Sequence, residues 1–273
     1  MIETAAPTAS PVEAMTATET ASPVNEILRD IARGGLASLV VGLLVAGIGG
    51  RVVMRIATLL HPDAVGAFTE NGNRVGDITL GGSAGVILIG LFLGPFAGVV
   101  WVVVRPWIPR AGMGRALLTM PIAVALGSLM LIQAENPDFR ILDHDPVVVA
   151  TLVALVALIG LSIALVDDWL EPRLPRSARA QARSTIAYVI LSFIGGVLVL
   201  PFVVAGFFQP GLVPVGVALV VVGFSTLALW SLRARGAAPP RRLTFIGRSA
   251  LFAAVVFGFA ATVSEISGAL FTG

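Results

Sequence analysis

The chain has 273 residues, of which 56% are hydrophobic and 12% are charged, and its mean hydropathy is +0.94. This composition excludes an ordinary soluble globular domain and is typical of a protein that crosses a lipid bilayer several times. All basic side chains are arginine, because the sequence contains no lysine, and the pI near 10.3 therefore indicates contact with anionic lipid headgroups rather than with nucleic acid.

The N-terminal segment, residues 1–24, is rich in Ala, Thr, Pro and Glu and has no basic residue. These features predict a disordered tail and not a signal peptide, which would need a basic start and an apolar run. A short amphipathic helix is predicted next, over residues 26–33, with Asn25 as its cap. We expect this helix to lie on the membrane surface, because the glycine pair at 34–35 loosens the backbone before the first span.

Seven apolar runs follow, each near the ~20 residues that a helix needs to cross ~30 Å of hydrocarbon. Membrane-spanning strands would be about 10 residues long with alternating polarity, and no run alternates in this way. We therefore predict an all-α, polytopic integral membrane protein, a seven-transmembrane-helix bundle that forms one domain over residues 25–273. The predicted spans are residues 36–59, 84–104, 116–133, 147–166, 186–208, 212–230 and 251–270.

The far end of the first span contains Arg51 and Arg55, four residues apart on one helical face. Two such cations repel each other unless an anion lies between them, and ionisable residues at membrane depth are often functional. Glu265 in the seventh span has a similar predicted depth, so it can pair with one arginine and leave the other for a lipid phosphate or an anionic ligand. The alternative is that both arginines reach lipid phosphates and Glu265 is capped near the surface.

Both histidines of the chain lie in loops and are flanked by carboxylates: His61 with Asp63, and His144 with Asp143 and Asp145. Imidazole and carboxylate together are ligands for zinc or manganese. Their spacing does not define a metal geometry, and solvated loop histidines are far commoner, so we predict no cofactor.

The second span carries glycines at positions 90, 94 and 98, which form one smooth stripe along the helix. Gly90, Gly94 and Gly98 predict a close helix contact. Packing within the chain is the favoured interpretation, and contact with a homo-oligomer or a partner membrane subunit is the alternative.

Orientation follows from the loops, because basic residues accumulate on the cytoplasmic side of membrane proteins. Three loops, which follow the second, fourth and sixth spans, hold most of the arginines, whereas the opposite loops are mainly acidic. We therefore predict a plasma-membrane protein with a cytoplasmic N-terminus and an external C-terminus. All four tryptophans and the single tyrosine lie beside the arginine-rich loops, and they predict a belt at the membrane surface. These residues are Trp101, Trp107, Trp169, Trp230 and Tyr188.

Function is constrained mainly by absences: the sequence has no cysteine, no lysine for a Schiff base, no phosphate-binding loop and no nucleophile elbow. The extensive use of Arg, Ala, Val and Gly suggests a bacterial genome of high GC content.

Three hypotheses for the function remain. The first is a non-enzymatic protein that binds or passes a small anionic or lipid ligand near its outer face through Arg51, Arg55 and Glu265. The second is a metal-assisted enzyme of lipid or envelope precursors, built on the loop histidines and aspartates. The third is a scaffold or assembly subunit that uses the glycine stripe.

Overall fold

A computed structural model describes residues 23–68, 74–76, 80–136, 139, 141–175 and 181–271. Within these residues, seven helices are long and apolar enough to cross a membrane, and no strand is assigned. The predicted all-α, seven-helix membrane bundle is therefore confirmed. Most of residues 1–24, the predicted tail, lie outside the described part of the chain, whereas Pro23 and Val24 are helical.

The helices are numbered here in chain order, and two of them contain a wider π-helical turn. In α1 this turn is Gly42–Ile48, and in α5 it is Ile194–Val199 between Gln181–Phe193 and Leu200–Phe207. The helices are α1 (Pro23–Leu60), α2 (Leu80–Val104), α3 (Gly112–Leu131), α4 (Pro146–Leu170), α5 (181–207), α6 (Val213–Ala234) and α7 (Arg241–Phe271).

The first helix differs from the sequence-based expectation. The predicted surface helix and the first span form one continuous helix, α1, and Asn25 lies inside it rather than at its cap. Gly34 remains helical because α2 packs directly on it: a Cβ added there would lie 2.5 Å from a methyl carbon of Val102 and 3.2 Å from the Trp101 ring. Tertiary packing thus outweighs the low helix propensity of the glycine pair.

The glycine stripe of α2 lies against α1. A Cβ at Gly94 would lie 2.7 Å from the backbone oxygen of Ser38 and 3.3 Å from the Cα of Gly42. Gly90 faces Gly42 and Gly47 in the same way, and Gly98 faces Ser38. The backbones of α1 and α2 therefore approach as closely as glycine permits, and the π-helical turn of α1 lies at this crossing.

The remaining helices complete the bundle around α1 and α2. Helix α3 packs against α4 and α7, α6 packs against α7, and α1 also contacts α4 and α5. An apolar cavity of about 110 Å³ lies between α1, α2, α3 and α4, with Phe207 of α5 at its side. Ser38 and Thr119 are its hydroxyl-bearing lining residues. The bundle core therefore contains space for an apolar group but offers no charge to a ligand.

Three of the five aromatic residues of the predicted surface belt are buried in the bundle. Trp101 and Trp107 are 3% and 2% exposed, and the Trp107 indole N–H donates to the hydroxyl oxygen of Thr226 at 2.8 Å. Tyr188 is also buried. Trp169, 55% exposed, points outward and stacks under Arg173, whose guanidinium carbon lies 3.9 Å from the ring centroid. The belt was predicted from sequence position, which does not reveal the direction in which a ring points.

Candidate functional site

The bundle has two polar ends with different chemistry. We call the end formed by residues 105–111, 171–175 and 235–240 the arginine-rich end, and the end formed by residues 61–68, 74–76, 132–136, 139, 141–145 and 208–212 the histidine end. The chain enters α1 at the arginine-rich end and leaves α7 at the histidine end. Every candidate site residue predicted from the sequence, apart from the glycine stripe, belongs to the histidine end.

The predicted pair between Glu265 and an arginine is not formed. Glu265 instead accepts a hydrogen bond from the backbone N–H of Ala134 at 2.8 Å. Arg51 donates from Nη2 to the hydroxyl of Ser83 at 3.0 Å, and its Nε is buried without a hydrogen-bond partner among the described residues. The expectation was wrong because similar depth in two helices does not place them side by side. Glu265 anchors the loop after α3.

Arg55 is exposed, and its side chain has neither an ion pair nor a hydrogen-bond partner within the described residues. Arg51 likewise has no carboxylate partner in the described part of the chain. No described carboxylate therefore pairs with either arginine on this turn of α1. The acidic Glu70 and Asp77, which follow α1 in the sequence, lie outside the described residues.

The loop before α4 brings together two of the predicted metal-binding residues, His61 and Asp145. The Nε2 atom of His61 lies 2.8 Å from Oδ2 of Asp145. The other carboxylate oxygen of Asp145 accepts the backbone N–H of Val147 at 2.6 Å and so caps the start of α4. This backbone hydrogen bond, with a smaller contribution from His61, holds the pKa of Asp145 below its ordinary value.

The other predicted metal ligands do not join this pair. The Nδ1 atom of His144 lies 2.5 Å from the backbone oxygen of Ala269, which ties the loop to the end of α7. Asp63 and Asp143 are exposed. Asp143 and His144 have positive φ angles of 49° and 54°, which form the tight turn that leads into α4. Among the residues that the structure describes, no group of three or more His, Asp or Glu residues is arranged so that it could hold a metal ion.

The arginine-rich end contains a buried ionic cluster that the sequence analysis missed. Arg33 and Asp167 are 1% and 0% exposed, and Arg33 Nε lies 3.1 Å from Asp167 Oδ1. Arg105 Nη1 lies 3.3 Å from the same oxygen, and its Nη2 lies 3.4 Å from Asp30. Arg33 contacts two further carboxylates, Glu171 at 3.1 Å and Asp30 at 3.5 Å. The cluster joins α1, α2 and α4 through shared carboxylates.

Two further arginines extend this cluster. Arg115 at the start of α3 pairs with Asp168 of α4. Arg29 donates to the backbone oxygens of Leu174 and Glu171, which follow the end of α4. A sequence signal for the cluster was present: acidic residues occur at an end otherwise dominated by arginine. Asp167 and Asp168 directly follow the predicted fourth span, and their arginine partners lie on other helices.

Comparison with known proteins gives no relative. No protein-family model matches the sequence, and no curated protein or solved structure matches it. The function must therefore be argued from the geometry of the two ends.

Proposed function

We propose that the protein is a non-enzymatic integral membrane protein that binds a small phosphate-bearing anion or lipid through Arg51 and Arg55 at the histidine end. The observation that supports this function is a pair of arginines on one turn of α1 that has no carboxylate partner among the described residues. Glu265 is not part of this proposal, because its carboxylate is engaged by the loop after α3.

The physical argument is charge compensation. Like charges at i and i+4 repel by about 0.2–0.5 kcal/mol on a solvated helix, and the repulsion grows where water is scarce. Ser83 supplies a neutral acceptor to Arg51 and removes no charge. A phosphate placed between the two guanidinium groups would accept several charge-assisted hydrogen bonds, including one from the buried Nε of Arg51.

The membrane and the orientation are part of the same proposal. Arginine accumulates at the loops of the arginine-rich end, which supports a cytoplasmic position for this end in the plasma membrane. The histidine end, with the proposed ligand site, then faces outward. Because the chain has no cysteine, single introduced cysteines provide a clean test of this topology.

Gln209→Cys and Ala238→Cys replace exposed residues at the histidine end and the arginine-rich end, respectively. A membrane-impermeant maleimide should label Gln209→Cys in intact cells. It should label Ala238→Cys only after the membrane is permeabilised. The reverse pattern would contradict the orientation without affecting the ligand-binding proposal.

The ligand-binding proposal is tested by native mass spectrometry of protein purified from membranes that contain phosphatidylglycerol and phosphatidylcholine. Arg51→Gln and Arg55→Gln should each reduce the retained phosphatidylglycerol. Removal of one charged hydrogen-bonding partner predicts about tenfold weaker binding.

The matched control is Arg74→Gln. Arg74 is an exposed arginine of the same end, and its guanidinium carbon lies 5.2 Å from the centroid of the Phe68 ring. This control should retain as much phosphatidylglycerol as the wild type. Retention in both α1 variants equal to that of the control would rule out the proposed site.

A further inference from the structure

A polar pocket of about 230 Å³ lies at the arginine-rich end, between the ends of α1, α2, α3 and α6. Its charged lining residues are Asp30, Arg105, Arg115 and Arg233, and Trp230 contributes its aromatic ring. A single buried water needs roughly 15 Å³ of such space, so this pocket has room for a much larger group. The pocket is separate from the apolar cavity in the centre of the bundle, with which it shares no lining residue.

The charges around the pocket are not all compensated. Arg105 lies within 3.4 Å of Asp30 and 3.3 Å of Asp167, and Arg115 pairs with Asp168. Arg233, in the last turn of α6, is exposed, and its side chain has no ion pair or hydrogen bond with any described residue. Arg233 therefore adds an unneutralised positive charge to the pocket.

Hydrogen-bonding capacity also remains unused. The Nε atom of Arg115 is buried, yet it has no hydrogen-bond partner in the described part of the chain. A buried donor without a partner costs roughly 1–3 kcal/mol, so an acceptor that entered the pocket within reach of this atom would offset a cost the fold already bears. The forked donors of arginine match the oxygens of a phosphate.

We propose that this pocket binds the phosphate of an anionic phospholipid headgroup. The lining residues lie at helix ends, where the hydrocarbon of a bilayer gives way to headgroups, and tryptophan is favoured at this level. A phosphodiester carries one negative charge, which equals the charge that Arg233 leaves uncompensated. Basic pockets between transmembrane helices are suited to such headgroups. The pocket lies at the opposite end of the bundle from Arg51 and Arg55, so the two proposals stand or fall separately.

The test compares Arg233→Gln with Arg235→Gln in the full-length, delipidated protein. Both arginines are exposed near the end of α6, and Arg235 does not line the pocket. The measured quantity is the shift in melting temperature on titration with phosphatidylglycerol, phosphatidylcholine or inorganic phosphate. Arg233 is chosen because its replacement breaks no ion pair in the described residues, so the variant should fold.

Phosphatidylglycerol should stabilise the wild type and Arg235→Gln at the same lipid concentrations, whereas Arg233→Gln should need about tenfold more lipid. Phosphatidylcholine should stabilise all three proteins weakly and equally. Equal losses in the two variants would show that general surface charge attracts the lipid and would overturn the proposal. Stabilisation by inorganic phosphate without stabilisation by phosphatidylglycerol would overturn the lipid assignment in favour of a free anion.

Discussion

The two ends of the bundle differ in what their charged side chains contact. At the arginine-rich end, Arg33 and Asp167 are almost completely buried. Arg105 forms a second ion pair with the same Asp167 carboxylate. At the histidine end, Glu265 and Asp145 bond to backbone N–H groups, and Arg51 bonds to a hydroxyl. The first end therefore uses its charges to connect helices, whereas the second leaves its α1 arginines without a carboxylate among the described residues.

The charged residues of the protein therefore fall into two groups: those that form buried ion pairs between helices, and those that are available to bind a ligand. A buried ion pair gains little over a well-packed apolar pair, but removal of one partner leaves a buried charge that is costly. The cluster should therefore be sensitive to single substitutions even if it adds little net stability. Arg51, Arg55 and Arg233 should behave in the opposite way: their replacement should change ligand retention more than it changes folding.

The largest effect is expected for Asp167→Ala. This change removes the buried carboxylate that both Arg33 and Arg105 contact, and it should lower the free energy of unfolding by about 3–5 kcal/mol. Thermal melting in detergent, together with the monodisperse yield from gel filtration, measures the loss.

Asp63→Ala is the control, because Asp63 is an exposed carboxylate of the histidine end and should tolerate replacement. If Asp167→Ala does not fold, the double variant Arg33→Met, Asp167→Leu provides a second test. It removes both charges and should recover part of the yield. A melting temperature for Asp167→Ala equal to that of the wild type would contradict the structural role of the cluster.

A smaller loss is expected for Gly94→Ala. The added Cβ would lie 2.7 Å from the backbone oxygen of Ser38, so α1 must move away, at a cost of about 1–3 kcal/mol. Gly85→Ala is the control in the same helix, because a Cβ there meets nothing within 4 Å and alanine has the higher helix propensity. Gly85→Ala should leave the melting temperature unchanged or raise it.

The assembly state distinguishes the two interpretations of the glycine stripe. If Gly94→Ala changes the oligomeric size in gel filtration while the melting temperature stays constant, the stripe is a contact between subunits. The close approach of α1 and α2 predicts the opposite result, a lower melting temperature at constant oligomeric size.

The smallest effect is expected for Asp145→Ala, which removes the cap of α4 and should cost about 1 kcal/mol at neutral pH. The pKa of Asp145 is lowered in the folded state, first by the Val147 N–H and then by His61. Its stabilising contribution is therefore complete above the ordinary pKa of about 3.9 and is lost as the pH falls through the lower pKa of the folded state.

The pH dependence of the stability loss in Asp145→Ala is a more specific test of the carboxylate charge than the size of the loss at neutral pH. The difference in melting temperature between the wild type and Asp145→Ala should shrink as the pH falls from about 6 to about 3. Glu135→Gln, an exposed carboxylate of the same end, should show no such convergence. A difference that stays constant across this range would mean that the carboxylate charge of Asp145 does not stabilise α4.

The sequence predicted the fold well because each span is determined by its own residues. A run of apolar residues in lipid must satisfy its backbone hydrogen bonds internally, and a helix does this without reference to the rest of the chain. The glycine spacing of α2 likewise indicated a close contact, although not that Ser38 and Gly42 would form it. The prediction failed at Gly34, where contact with Trp101 keeps the helix continuous.

The polar sites were predicted less well, because their partners lie far apart in the sequence. Arg33 and Asp167 are separated by 134 positions, and Ala134 and Glu265 by 131. Equal depth suggested that Glu265 faces an arginine, yet it contacts the loop after α3. His61 and Asp145 were both named as candidates, but their contact could not be derived from the spacing within either motif.

By itself, the sequence determined the seven apolar helices that the described residues form, because hydrocarbon allows an apolar segment few other conformations. The tertiary structure alone decided which charges are neutralised and which remain free. Spacing along a helix fixes the face on which a side chain lies, whereas the order in which the helices pack fixes what that face meets.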